Sequence, residues 1–141
     1  MFDPTREEVR EMFFGTWRKY RAGEPLVGIE TIALQVILLH PEYHAILDHP
    51  ERYRDRDYVD ESNPFLHMSL HLALEEQLSI DQPPGIAGYY QSLQEKCGSK
   101  LEAQHDLMEC LAEAIWQAQR HNAPLDAEAY TRCMAQKAGS A

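Results

Sequence analysis

Cysteine is scarce in this chain, with three among 141 residues, and Cys97, Cys110 and Cys133 show no C-x-x-C spacing. An odd number without that spacing excludes a disulfide framework and reads as reduced, packing thiols of a cytoplasmic protein. Basic charge is also short: 13 Lys and Arg stand against 23 Asp and Glu, for a formal net charge of −10. A general grip on phosphate backbones needs a concentrated basic surface, so nucleic acid is excluded as a partner. Arg52, Arg54 and Arg56 do cluster, but Asp55, Asp57 and Asp60 neutralise them within the same stretch. Long apolar runs are missing too. The most apolar segment, Ile29 to Leu39, contains Glu30, Thr31 and Gln35 and is too short to span a bilayer. The opening MFDPTREEVREMFF has no basic segment followed by an apolar one, so no signal peptide is expected. No segment alternates with period two between hairpin turns, which argues against a sheet. A Gly-x-Ser-x-Gly elbow, a phosphate-binding glycine loop and a Gly-x-Gly-x-x-Gly fingerprint are all lacking, so no organic cofactor is expected.

What is present is helical patterning. Hydrophobic content of 44% and charged content of 26% match an ordinary globular protein, and 141 residues suit a single domain spanning 1–141. Asp3-Pro4 suggests a helix start with Glu7 and Glu8 in its first turn. Val9, Phe13, Trp17 and Tyr20 then form an apolar stripe that Gly23 and Pro25 end. A second helix is predicted from Leu26 to Leu39, broken by Pro41, with a short restart carrying Glu42 to Asp48. Residues 49–63 read as a polar surface loop. Asn63-Pro64 supplies a cap and a first-turn proline for a helix from Pro64 to Leu78. The proline-rich connector 79–85, within the run SIDQPPGI, leads to helices over Ile86–Cys97, Lys100–His121 and, after a cap at Asp126, up to Lys137. The fold class is therefore all-α, a single-domain bundle of five to six helices.

Histidine spacing carries the chemical signal. Five of the seven histidines have another His, Asp or Glu four residues on: His40/His44, His44/Asp48, His67/His71, His71/Glu75 and His105/Glu109. That exceeds what 23 acids and seven histidines among 141 residues supply by chance. On a helix this spacing puts both side chains on one face with Cβ atoms roughly 5–6 Å apart, where they can share a metal ion or a proton. A wheel for the Pro64 helix places His67 and His71 among Leu70, Leu74 and Leu78, with Glu75 on the shoulder. The Lys100 helix places His105 beside Leu101, Met108, Ala112 and Trp116, with Glu109 and Glu113 on the shoulder. Buried imidazoles need partners. The candidate ligand set is therefore His67, His71, His105 and Glu109, with Glu75 and Glu113 as further ligands or outer acceptors. Three nitrogens and one oxygen suit Zn, Fe or Mn. His40 and His44 read as structural, because Pro41 disturbs the helical phase between them; whether they join the site is left open. His49 and His121 read as surface residues.

Three functions compete. The first is binding of a divalent metal between two facing helices; no substrate or reaction follows from the residues. The second is a non-enzymatic interaction module, in which the histidines join Glu75, Glu109 and Glu113 in a buried hydrogen-bond network. The 79–85 connector and the acidic surface would then meet a protein partner or another copy. The third is a pH-sensing bundle. The stretches WRKYRAGEPL, HPEYH, NPFLHMSLHLALEEQLSIDQPPGI and HDLMECLAEAIWQAQR resemble a proteobacterial family of domains of unknown function (number 1841). The likeness covers nearly the whole chain and implies no activity. A fainter, fold-level likeness, resting on helix content and His-x-x-x-His or His-x-x-x-Glu spacing, is to hemerythrin and DinB-like four-helix metal bundles.

Overall fold

Proline and glycine set the helix boundaries. The structure is a computed structural model that describes residues 5–58 and 63–139. Its α-helices are α1 (Arg6–Ala22), α2 (Ile29–Leu38), α3 (His44–Leu47), α4 (Pro50–Tyr53), α5 (Pro64–Ile80), α6 (Ile86–Cys97), α7 (Lys100–Arg120) and α8 (Ala127–Gly139). A 3-10 turn, Pro41–Tyr43, precedes α3. No strand occurs among the described residues, as the absence of period-two patterning predicts.

The expected count of five to six helices is too low. Proline cannot continue the helix before it but suits the first turn of the next. Pro41 and Pro50 accordingly each open a new helical turn. The second of these lies inside the stretch expected to be loop, 49–63, of which residues 59–62 lie outside the described residues. The start expected at Asp3-Pro4 also lies outside them. The described α1 begins after Thr5, whose hydroxyl accepts from the Glu8 amide while the Glu8 carboxylate accepts from the Thr5 amide, a reciprocal cap. Gly23, at φ +72°, closes α1.

The chain divides into two compact units, Met1–Leu72 and Ala73–Ala141, with the division falling inside α5. In the first unit, α1 supplies Phe13, Phe14 and Trp17 to a core shared with Ala33, Val36 and Ile37 of α2. Leu47 of α3 and Phe65, Met68 and Leu72 of α5 complete it. Arg10 is buried against this core. Its Nη1 donates to the carbonyls of Tyr53, Arg54 and Arg56 at 3.4, 2.9 and 2.7 Å, and its guanidinium lies 4.7 Å from the Phe65 ring centroid. One buried cation thereby ties residues 53–56 to α1. In the second unit, Ile86 and Leu93 of α6 pack with Ala103, Leu107 and Leu111 of α7 and Tyr130 and Met134 of α8. Asp81 caps α6 by accepting from the Ala87 amide at 3.0 Å.

The reading of all three cysteines as reduced is overturned for two of them. Cys110 of α7 and Cys133 of α8 form a disulfide, with Cα atoms 5.7 Å apart. Helix pairing brings together two positions separated by 23 in sequence, a meeting that no local spacing announces. Cys97 is a free thiol whose S–H donates to Asp106 Oδ2 at 3.5 Å. No described helix is long and apolar enough to cross a membrane.

Candidate metal centre

Two features of the first unit position its histidines. Asn63 Oδ1 accepts from the Phe65 and Leu66 amides at 2.9 and 3.2 Å, fixing where α5 begins and so its register. His67 and His71 then stand one turn apart on one face. At the end of α2, the His40 amide donates to Ile37 O at 3.0 Å, and Pro41 turns the chain away. His40 is left as the last inward-facing residue before the 3-10 turn.

These three rings meet. One ring nitrogen from each of His40, His67 and His71 lies within 4.8 Å of the others. His40 Nε2 and His67 Nε2 are 3.0 Å apart. Ring centroids are 4.8 Å apart for His40–His67, 5.1 Å for His40–His71 and 6.4 Å for His67–His71, all edge to face. His71 is fully buried and His40 is 2% exposed. The Tyr43 ring stacks on His40 at 5.4 Å and 10°; burial pushes its hydroxyl pKa up.

The protonation of His40 follows from its neighbours. Its Nδ1 lies 2.8 Å from Val36 O, and a carbonyl oxygen only accepts. Nδ1 therefore carries the proton, and in the neutral ring Nε2 presents its lone pair toward His67. A main-chain oxygen that holds one imidazole nitrogen protonated and orients the other is the usual outer support of a ligating histidine.

The remaining candidates are placed as follows. His44, four residues after His40, turns elsewhere: its Nε2 donates to Ile37 O at 2.8 Å and its ring stacks 4.4 Å from Trp17. Asp48 accepts from Trp17 Nε1 at 2.7 Å. Pro41 thus separates the pair physically, one ring going to α5 and the other to α1. In the second unit, His105 is half-buried on α7. Glu75 Oε1 accepts from Gln104 Nε2 at 2.6 Å. Glu109 is exposed and pairs with Lys137. Glu113 is exposed and accepts from Gln117 at 3.0 Å. His49 and His121 are exposed. His40 is the residue the sequence left open. Its sequence signals are the His40/His44 spacing, which Pro41 disturbs, and a place between the apolar run of α2 and Pro41.

The family model described as Domain of unknown function (DUF1841) matches residues 5–136. Comparison with curated proteins returns no match, and comparison with solved structures returns none either.

Proposed function

Because this chain belongs to the family described as Domain of unknown function (DUF1841), a description that assigns no activity, we propose its function from its own residues: it binds a divalent transition-metal ion through His40, His67 and His71. The observation that carries this reading is the meeting of three ring nitrogens within 4.8 Å. Bringing imidazoles together in a buried place costs free energy that a shared ion offsets. Magnitudes agree. Two nitrogens about 2.0–2.1 Å from a tetrahedral ion are about 3.3–3.4 Å apart, a few tenths of an ångström beyond the 3.0 Å between His40 and His67. An imidazole set suits Zn or Fe in preference to ions that favour thiolate or purely oxygen ligands, and Mn only if a carboxylate joins it. His105 is a proposed further ligand on its spacing in the sequence alone. Glu75, Glu109 and Glu113, each bonded elsewhere, are not required. Three imidazoles would leave coordination positions for water or another ligand, where a bound ion of this kind would supply Lewis acidity.

The test is metal analysis of protein purified without chelators and without a nickel column. About one equivalent of Zn, Fe or Mn per chain is expected, lost in His40→Ala and His67→Ala and kept in His44→Ala and Glu109→Gln. Less than about a tenth of an equivalent, unchanged after adding these ions, would remove the proposal.

A second reading has its own observation. His40 and His44 each bond a main-chain carbonyl, as a purely structural hydrogen-bond network would require. The protein would then act by contact, with a protein partner or a second copy meeting the 79–85 connector, in which Ile80 is 66% exposed. Retained partner binding in a His40→Ala/His67→Ala variant would favour this reading. The cytoplasmic expectation rests in part on reduced thiols, and the Cys110–Cys133 bond removes that part of its support.

A further inference from the structure

We propose that the Cys110–Cys133 disulfide is a thiol-exchange site that accepts a small cationic aminothiol through a cavity between α7 and α8. The cavity, of about 470 Å³, lies wholly within the second unit, and both sulfur-bearing residues line it. Four of its lining residues are alanines, Ala114, Ala118, Ala123 and Ala129, which leave room where larger side chains would fill the wedge between the helices. A structural disulfide is ordinarily shielded by packing. Here both cysteine residues line open space, Cys110 at 1% exposure and Cys133 half-buried.

The two cysteines are not equivalent. Cys110 is 1% exposed, whereas Cys133 is half-buried. Access therefore selects Cys133 Sγ as the atom attacked. A thiolate RS⁻ forms a bond to Cys133 Sγ and the Sγ–Sγ bond breaks, its electron pair leaving on Cys110 as thiolate. A second RS⁻ then attacks the R-bearing sulfur of the mixed disulfide. It releases RSSR and leaves Cys133 as thiolate, so two thiols are oxidised and one disulfide is reduced. Both cysteine thiolates take protons from water.

Charge selects among thiols. Glu113 and Asp126 are the acidic lining residues, and His121 is the one lining side chain that can become cationic. Glu113 is fixed by the Gln117 amide at 3.0 Å, and Asp126 Oδ1 by the Ala129 amide at 3.1 Å. Two anchored carboxylates at the rim attract an ammonium-bearing thiol and repel an anionic one, an effect that salt screens.

The experiment uses the full oxidised chain carrying Cys97→Ser, which keeps a hydrogen-bond donor near Asp106 and removes the third thiol from the count. It is exposed at low ionic strength and pH 8 to cysteamine, 2-mercaptoethanol or 2-mercaptoethanesulfonate. The released thiol is trapped by alkylation and the adduct is located by peptide mass. The expected result is a single adduct on Cys133 with Cys110 alkylated. Per thiolate, cysteamine should react at least about threefold faster than the sulfonate, and this preference should shrink in 0.5 M salt (roughly the range where exposed charges are screened) and in Glu113→Gln. Three results would overturn the proposal: no adduct under native conditions while guanidinium-unfolded chain reacts readily, an adduct on Cys110, or rates that ignore thiol charge.

Discussion

Breaking the α7–α8 crosslink should loosen the second unit by an amount its sequence separation sets. Cys110 and Cys133 are 23 positions apart. In the chain-entropy account, closing a loop of that length removes unfolded-state freedom worth about 3 kcal/mol. Little should be lost from the folded side, because a reduced Cys110, 1% exposed, behaves as a small apolar side chain in a buried position. For a unit of this size each 1 kcal/mol moves the midpoint by about 4–8 °C, so reduction should lower it by roughly 12–24 °C. The assay is thermal unfolding followed by circular dichroism, with and without a phosphine reductant, and the redox state checked by intact mass. The Cys110→Ala/Cys133→Ala variant should melt with the reduced wild type. Midpoints of fully oxidised and fully reduced chain within about 3 °C of each other would refute the loop-closure reasoning.

Two further outcomes follow from single contacts. Arg10→Met keeps the aliphatic stem beneath Phe65 but removes the donor to three carbonyls in 53–56, so stability should fall by about 2–3 kcal/mol and amides of α4 should exchange faster in native-state hydrogen exchange. Glu30 accepts from Lys19 at 2.8 Å and from the Val27 amide at 3.1 Å, and the Lys19 hydrogen bond, then that of Val27, holds its carboxyl pKa below the ordinary value. A lowered folded pKa contributes stability above the unfolded value of about 4.3 and loses it as pH falls through the folded value. Wild type should therefore exceed Glu30→Gln by about 1 kcal/mol at pH 6 in urea unfolding, with the gap closing toward pH 3; a gap that persists there would contradict the assignment.

The parts of this fold written locally were readable from the residues. Asn63-Pro64, Gly23 and Asp126 mark helix ends by short-range backbone chemistry, and α5, α6, α7 and α8 fall close to where the sequence signals put them. Short helical turns after Pro41 and Pro50 were harder to see, because one turn carries too few residues to show a period. His67 and His71 were legible as a pair because their spacing is that of α5 itself. His40 was not, since its approach to α5 depends on how α2 ends and on the core beneath it, 27 positions from His67. The disulfide failed to show for the same reason: Cys110 and Cys133 meet through packing of α7 on α8. Glu109, a candidate ligand on the helical wheel, pairs with Lys137 of α8, a partner no single-helix projection contains.

The most direct measurement is isothermal titration of chelator-stripped protein with Zn²⁺, run beside His40→Ala and His44→Ala chains of verified helical content. Saturable binding near one ion per chain in wild type and His44→Ala, abolished in His40→Ala, is what the convergence of His40, His67 and His71 predicts. Equal binding in all three chains, or none in any, would contradict it.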